Sequence, residues 1–368
     1  MDANLYYTVF LTVVTIMTAV ISSKYSSYPD SRFVLRRTSS GGALFLTVAL
    51  TLFIGLRPLS YLFTDMYNYH MSYYHVFGQP YSFNPDSENI FFDNILYYLA
   101  SERYDLDLFF LLIAAIYFGG IFIAMKKLFP RDTLYAVVIY LGAFSTFSYA
   151  TNGIKAGAAT SIFLCAIAYR RQLPACIMFL IASLGFHHSM IMPIVAFAIC
   201  HFYSEPKKYL SLWIICLIIA ACHITFFQEL FGSMANDQGA GYLIKDKAIS
   251  NWGYYAGFRF DFALYSAAPI VLGYWLITNC GYRSKTYNFI YSLYTLTNAV
   301  WLLCMYASFT NRIAYLSWLM LPIALTYPFF DSCFRPRQYR LANTVARCHL
   351  GFTLAMTIVY YGFLKAMF

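Results

Sequence analysis

Apolar stretches long enough to cross a membrane recur along the whole chain. The hydrocarbon core of a bilayer is about 30 Å thick, so a helix needs about 20 apolar residues to span it. The stretches are unbroken rather than alternating, which indicates helices and not the strands of a membrane barrel. We therefore predict an all-α polytopic membrane protein with about twelve transmembrane helices, forming a single integral-membrane domain over residues 1–368. The predicted spans lie at about 4–22, 40–57, 106–127, 132–149, 153–170, 173–185, 188–202, 209–227, 262–279, 285–306, 312–329 and 342–366.

Three irregular segments interrupt this pattern. The sixth and seventh spans are short and meet at residues 186–189, so they could form a broken or re-entrant pair. The outer loop at residues 57–105 contains a stretch, residues 89–100, that is too short to span and is typical of an interfacial or re-entrant helix. A second outer loop covers residues 227–261. Both loops are rich in Tyr or Trp, which suits either an aromatic belt at the membrane surface or platforms for sugar rings.

Composition and charge support a membrane protein and exclude a nucleic-acid-binding one. Hydrophobic residues make up 60% of the chain and charged residues only 11%, against about 25% in a soluble domain. The net charge of +9 comes from short basic clusters in every second loop, as the positive-inside rule expects of cytoplasmic loops. The intervening loops are then the outer ones. No CxxC or Cys/His ligand spacing occurs, so we predict no metal site.

Placing a charged side chain within a membrane span or at its end costs free energy, so each such residue is a candidate for function. Arg57 ends the second span, where it could bind substrate or simply extend its guanidinium towards the interface. Asp65 follows shortly afterwards and could be a helix N-cap or a general base. Both lie on the predicted outer side.

The start of the fifth span, at Asn152 and Lys155, has the features of an anion site. Asn152 could cap the helix, and the backbone N–H groups of its first turn attract anions. Lys155 in that turn opposes the helix dipole, so an anionic ligand explains it better than stability does. Small residues that follow, such as Gly157, also favour close helix packing.

A histidine pair, His187 and His188, occupies the break between the sixth and seventh spans. A single interfacial histidine is usually only a hydrogen-bonded polar group, but neutral imidazole is also the commonest proton-transfer group near pH 7. No third metal ligand accompanies the pair in the sequence. We therefore favour acid–base or hydrogen-bonding duty over metal binding.

Two further arginines begin later spans. Arg259 precedes Asp261 at the ninth span, so the two could form a structural pair, and Arg312 begins the eleventh span. Arg binds phosphate bidentately and keeps its charge at membrane depth. A set of such cations on one side of the membrane suits a pyrophosphate-linked lipid. The predicted topology puts these groups at one outer level: Arg57, Lys155, His187, Arg259 and Arg312.

At these residues the chain resembles the EpsG family of Wzy-like polysaccharide polymerases. Four motifs in family order, between about residues 50 and 330, carry the resemblance. They are Arg57 with Asp65-x-x-x-Tyr69-x-x-x-Tyr73; Asn152-Gly-Ile-Lys-Ala-Gly through Phe186-His187-x-Ser189; Arg259-Phe-Asp-Phe-Ala-Leu-Tyr-Ser; and Asn311-Arg-Ile-Ala-Tyr-Leu-Ser-Trp-Leu-Met-Leu-Pro. The family usually has Arg where this chain has Asn152, so either Lys155 takes over that charge or the anion site differs.

The resemblance implies a fold related to the GT-C membrane glycosyltransferases, located in the bacterial inner (cytoplasmic) membrane with its active site facing the periplasm. It implies transfer of a growing undecaprenyl-pyrophosphate-linked glycan to a sugar hydroxyl of a new lipid-linked repeat unit, without a metal or other cofactor. Asp65 and His187 are then acceptor-activating candidates, while Arg259 and Arg312 contact the pyrophosphates. The substrate-binding candidates are Arg57, Tyr69, Tyr73, Asn152, Lys155, His188 and Asp261, the last by orienting an Arg.

The expected partners are an undecaprenyl-pyrophosphate-linked oligosaccharide, membrane lipid, a chain-length regulator and a flippase, and not nucleic acid. The main alternative is that the chain is itself a flippase or transporter of lipid-linked oligosaccharides. Such a protein ordinarily carries mid-span charges and an internal repeat, and neither is evident in the sequence. A related acyltransferase is disfavoured because its basic and His groups would have to meet a cytoplasmic acyl donor.

Overall fold

Helices make up the regular secondary structure of the described part of the chain. The computed structural model describes residues 2–27, 39–233, 257–307, 310–331 and 338–360, and no strand occurs within them. The all-α prediction is therefore confirmed for these residues. The helices are α1 (Leu5–Ser27), α2 (Ser39–Gly55), α3 (Thr64–His75), α4 (Ile90–Ser101), α5 (Leu106–Leu128), α6 (Thr133–Leu141), α7 (Thr146–Thr151), α8 (Ile154–Ala168), α9 (Leu173–Phe186), α10 (Ile191–Phe202), α11 (Pro206–Ala221), α12 (Phe226–Ser233), α13 (Phe260–Thr278), α14 (Lys285–Leu303), α15 (Thr310–Trp318), α16 (Leu321–Phe330) and α17 (Gln338–Tyr360), with a 3₁₀ turn at His188–Met190.

As far as the described residues reach, each predicted span falls on one of these helices or on a pair of them. Among the described residues, four helical segments are both long and apolar enough to cross a membrane, and shorter apolar helices accompany them. The chain is therefore a membrane-embedded helical protein, whereas the number twelve stays a prediction. The four segments are Leu5–Lys24, Leu106–Leu128, Phe260–Thr278 and Thr310–Phe330.

Two predicted spans are interrupted, although their hydropathy is continuous. The fourth divides into α6 and α7, and the hydroxyl of Thr146 donates to the Tyr140 carbonyl oxygen at 2.9 Å, which satisfies a carbonyl released at the break. The eleventh divides into α15 and α16, where Pro322 lies at the start of α16. Proline lacks the N–H that a continuous helix needs, so it favours a new helix start there.

The chain forms two compact units, and the first comprises Met1–Ile191 with Phe329–Phe368. In this unit α8 packs against both α5 and α9, and α5 also packs against α2. Gly120 on α5 lies so close to α8 that a Cβ there would lie 2.6 Å from Ser161 Oγ. Gly157 likewise lets the backbone of α7 approach, since a Cβ would lie 2.4 Å from the Tyr149 carbonyl oxygen. The predicted close packing around Gly157 is thus confirmed.

The second unit, Met192–Pro328, is organised around α14, which packs against α11, α13 and α15. Its interior pairs indole N–H groups with small polar side chains. Trp213 donates to Asn298 at 2.8 Å, and Asn298 in turn donates to Ser317 at 2.9 Å. Because an unpaired polar group is costly in an apolar interior, these pairs fix the register of the helices.

The long outer loop at 57–105 contains two helices, α3 and α4. The helix predicted over residues 89–100 is confirmed as α4, Ile90–Ser101. Its location at the membrane interface stays a prediction. The second loop, predicted at 227–261, falls mostly outside the described residues, apart from α12 and its two ends.

Candidate functional site

Lys155, in the first turn of α8, is paired with a carboxylate of its own chain. Its Nζ lies 2.9 Å from Oδ1 of Asp93 in the first turn of α4, and the two side chains are 24% and 20% exposed. The other carboxylate oxygen accepts a hydrogen bond from Ser87 Oγ at 2.6 Å. A lysine at a helix N-terminus opposes the dipole, and Asp93 offsets that cost. The sequence predicted that Lys155 binds an anion, and the anion that it contacts in the structure is the carboxylate of Asp93.

Aromatic rings enclose the same ammonium group. Lys155 Nζ lies 5.0 Å from the ring centroid of Phe92 and 5.6 Å from that of Tyr69. Those two rings contact each other with centroids 5.2 Å apart. Because cation–π contacts strengthen as the cation loses water, the rings and the carboxylate together hold Lys155 in one place.

The break after α9 is built by His187. Its backbone is extended (φ −155°, ψ 119°), which ends α9 and makes His187 the N-cap of the following 3₁₀ turn. Its Nδ1 accepts the backbone N–H of Ser189 at 3.2 Å and lies 3.0 Å from the Ser189 hydroxyl. The Phe186-His187-x-Ser189 element is therefore a local capping structure.

The neighbouring residue, His188, is attached to the segment that precedes α4. Its backbone N–H donates to Asn89 Oδ1 at 3.2 Å, and its Nδ1 lies 3.6 Å from a carboxylate oxygen of Glu88. The α4 segment thus contacts both Lys155 and His188, the second residue of the histidine pair, so these groups lie at the same end of the first unit. We call this group the α4 cluster: Ser87, Glu88, Asn89, Asp93, Lys155, His187 and His188.

Sequence reasoning found the cationic half of the α4 cluster and missed its acidic half. Glu88, Asn89 and Asp93 were not singled out, because they lie in a loop and a short helix with no catalytic motif. The sequence offered two separate signals, an acidic residue, Asp93, on a short helix in an outer loop and a lysine, Lys155, without an evident partner, but nothing in it joins the two.

Two capping predictions are wrong. The N-cap of α3 is Phe63, so Asp65 lies inside the first turn, where a carboxylate still suits the helix dipole. The N-cap of α8 is Gly153, whereas Asn152 is the C-cap of α7 and its N–H donates to the Ser148 carbonyl oxygen at 2.8 Å. The short helix α7 ends just before α8 begins, so Asn152 ends α7 and the next residue, Gly153, begins α8. The functional roles of Asp65 and Asn152 stay predictions.

Helix α3 carries Asp65, Tyr69 and Tyr73. Tyr73 is fully buried, and its hydroxyl donates to the Tyr104 carbonyl oxygen at 2.8 Å. Burial raises the pKa of Tyr73 to about 12, so the phenol stays protonated at neutral pH and can donate this hydrogen bond. Its predicted contact with substrate is untested, whereas Tyr69 reaches the α4 cluster through Lys155.

Arg57 lies inside the first unit rather than at a surface. Its side chain donates to the Ile54 carbonyl oxygen at 2.8 Å and to that of Thr151 at 3.2 Å, and the residue is 2% exposed. The guanidinium carbon lies 5.3 Å and 5.1 Å from the rings of Phe63 and Phe110. Arg57 therefore joins the end of α2 to the end of α7, and its predicted contact with substrate stays a prediction.

The second unit holds Arg259, Asp261 and Arg312. Arg259 donates to Asp261 through Nε at 3.0 Å and through Nη2 at 2.8 Å, a bidentate pair, and its guanidinium carbon lies 3.6 Å from the centroid of the Phe262 ring. The pairing considered from the sequence is thus present. Arg312 is exposed in the first turn of α15. The backbone N–H of Arg259 contacts Met305 Sδ at 3.2 Å, in the connection that leads from α14 to α15.

These features define a membrane-embedded helical protein with cations, carboxylates and histidines gathered at helix ends. The sequence model of the EpsG family matches residues 42–367, which is most of the chain. The chain belongs to the EpsG family, and this membership supports a polysaccharide polymerase-type role at the level of the family. No curated protein and no solved structure matches the chain.

Proposed function

We propose that this protein polymerises a bacterial polysaccharide, an O-antigen or exopolysaccharide, at the periplasmic face of the inner membrane. It transfers a growing undecaprenyl-pyrophosphate-linked glycan to a new lipid-linked repeat unit. The observation that carries the proposal is the family match over residues 42–367. The proposed architecture is about twelve spans in a GT-C-related arrangement, and a flippase and a chain-length regulator are the proposed partners.

The chemistry needs two kinds of group. A hydroxyl oxygen of the acceptor sugar forms a bond to the anomeric carbon, the bond from that carbon to the pyrophosphate breaks, and the hydroxyl proton is lost. Pyrophosphate leaves with the electron pair and is a good leaving group, so positioning and charge stabilisation outweigh strong base catalysis. We propose that Arg259 and Arg312 stabilise the negative charge of the departing pyrophosphate, and we keep Asp65 as the candidate acceptor of the hydroxyl proton.

The contacts within each unit refine two of these roles. Asp261 holds one edge of the Arg259 guanidinium at 2.8–3.0 Å, which suits its proposed role of orienting that arginine. Lys155 is already neutralised by Asp93. Its positive charge therefore serves the pyrophosphate less well than that of an arginine, and we propose instead that Lys155 shapes the α4 cluster.

The test is reconstitution with the native lipid-linked repeat unit. Purified protein should form ladders of longer lipid-linked glycans without a nucleotide sugar, and chelation of divalent metals should leave the ladder unchanged. A flippase would move the lipid and leave its glycan length unaltered. Arg259→Ala and Arg312→Ala should each abolish the ladder at normal protein levels. Normal polymer length in both variants would remove these arginines from the site, and failure to elongate the native unit would refute the proposal.

A further inference from the structure

Arg347 is a charged residue of helix α17, near the start of the twelfth predicted span. Its Nε donates to the Ser22 hydroxyl of α1 at 3.0 Å. Ser22 lies in the last turn of the apolar segment Leu5–Lys24. The guanidinium is therefore at the level where the apolar surface of α1 ends, which is where a charged side chain meets lipid headgroups.

Buried polar groups hold this arginine in place. Ser22 is fully buried, and its carbonyl oxygen accepts a hydrogen bond from Asn343 Nδ2 at 2.9 Å. The Tyr135 hydroxyl donates to Asn343 Oδ1 at 2.8 Å, so side chains of α6 and α17 are bonded to each other and to the end of α1. Arg347 lies at the exposed edge of this group. Its bond to Ser22 restricts the orientation of the guanidinium, whose Nη nitrogens have no partner among the described residues.

A second exposed arginine, Arg340, lies on the same face of α17 as Arg347. The two are seven residues apart, which is two helical turns and about 10 Å along the axis. Helical side chains lean towards the N-terminus, so the guanidinium of Arg347 extends towards Arg340. The ion pairs of the described residues involve neither arginine. Two cations that approach each other without a carboxylate are stabilised by an anion from outside the chain.

The exposed face that carries these arginines changes in character along α17. Its members recur at the three- and four-residue spacing of one helix face. The first half is basic and polar, and the second half is small and apolar. A Cβ on Gly351 would meet no atom within 4 Å, so this part of the face is open. We call this face the α17 stripe, and its exposed residues are Arg340, Thr344, Arg347, Gly351, Ala355 and Ile358.

We propose that the α17 stripe binds an anionic phospholipid such as phosphatidylglycerol. The phosphodiester accepts hydrogen bonds from the Nη groups of Arg347 and is attracted by Arg340, while an acyl chain lies along the apolar half of the stripe. A free phosphate would leave that apolar half uncovered. The charge pattern of the loops assigns this end of α17 to the cytoplasmic side, whose leaflet is anionic. The site lies within the first unit and does not depend on the proposed polymerase activity.

Native mass spectrometry of the full-length protein, delipidated in detergent, tests the ligand. Dioleoylphosphatidylglycerol should bind as one tight copy, at a lower concentration than dioleoylphosphatidylcholine, whose choline neutralises its phosphate. Glycerol phosphate carries a similar headgroup and no acyl chain, so at millimolar concentration it should not displace the lipid. Equal retention of the two lipids would overturn the proposal. Displacement by glycerol phosphate would also overturn it, because the stripe would then bind phosphate and not lipid.

Variants in the stripe separate a built site from general attraction. Arg347→Gln should weaken the binding of phosphatidylglycerol about tenfold, because it removes a charge together with charge-assisted hydrogen bonds. Ser22→Ala keeps both charges but removes the acceptor that orients Arg347, so it should weaken binding about threefold. Arg340→Gln changes only an exposed side chain and should weaken binding about fivefold with folding intact.

Lys24→Gln is the matched control for these variants. Lys24 is exposed in the same last turn of α1, but two residues along a helix turn it to the side opposite Ser22. It removes one positive charge at the same end of the first unit and should leave lipid binding unchanged. A loss in Lys24→Gln equal to that in Arg347→Gln would reduce the effect to general attraction and overturn the site. Unchanged binding in both Arg340→Gln and Arg347→Gln would overturn it as well.

Discussion

The ion pair between Lys155 and Asp93 decides whether this lysine serves the structure or the substrate. The two groups can be neutralised with little change of shape. Lys155→Met keeps the length of the side chain among the rings of Phe92 and Tyr69. Asp93→Asn keeps an oxygen that accepts the Ser87 hydroxyl. Together with the double variant they form a double-mutant cycle.

The expected energies follow from distance and exposure. Unit charges about 4 Å apart attract by about 4 kcal/mol at an effective dielectric constant of about 20. With side chains 24% and 20% exposed, part of this attraction is lost to screening and to the cost of removing water. We expect each single variant to lower the free energy of unfolding by about 2 kcal/mol, because it leaves a half-buried charge unpaired. The double variant should lose about 1–2 kcal/mol less than the sum.

The free energy of unfolding of each variant is measured in mixed detergent micelles by tryptophan fluorescence. The length of the polymer made in cells gives the activity. If Lys155 supports the α4 cluster, the double variant should recover polymer length relative to either single variant. A lysine that binds pyrophosphate would give a different result, since Asp93→Asn would then be harmless and the double variant as inactive as Lys155→Met. That outcome, or an absence of coupling, would refute the structural role. The exposed pair of Lys208 and Glu205, whose charged atoms are 3.6 Å apart, is the control and should show no measurable coupling.

Two further predictions concern packing in the first unit. Arg57→Lys keeps the charge but lacks the two Nη groups that separately bond the Ile54 and Thr151 carbonyl oxygens, so the free energy of unfolding should fall by about 2–3 kcal/mol. An unchanged stability in the same micelle assay would contradict this role. Gly185→Ala would place a Cβ 2.3 Å from the Phe91 ring and should destabilise by about 1–3 kcal/mol, with partial recovery on adding Phe91→Ala. Gly119→Ala has open space and serves as the control, so an equal effect there would exclude helix contact as the cause.

The helices could be predicted from the sequence because lipid forces backbone groups to bond within each segment. Apolar length alone therefore places their ends to within a few residues, as in α5. The interruption between α6 and α7 escaped prediction, since it depends on a side-chain bond from Thr146 and not on hydropathy.

The candidate site was predictable only in part, for a related reason. Lys155 and His187 stand out because a charge or a histidine pair is conspicuous in an apolar sequence. Asp93 and Glu88 lie in the outer loop, where acidic residues are ordinary. The packing of α4 against α9 brings that loop close to the first turn of α8 and shows that Asp93 is the carboxylate paired with Lys155. The division of the chain into two compact units could not be predicted either, because the hydropathy pattern does not change at its boundaries.

The form of each cation determines what its pairing means for catalysis. An ammonium group held at 2.9 Å by a carboxylate and enclosed by two rings has its charge balanced in place, as at Lys155. A guanidinium has five N–H donors in one plane, and Asp261 accepts hydrogen bonds from Nε and Nη2 of Arg259. Such a pair is oriented by its carboxylate and still has the planar geometry that matches a phosphate. We therefore keep Arg259, and not Lys155, as the proposed ligand of the leaving group.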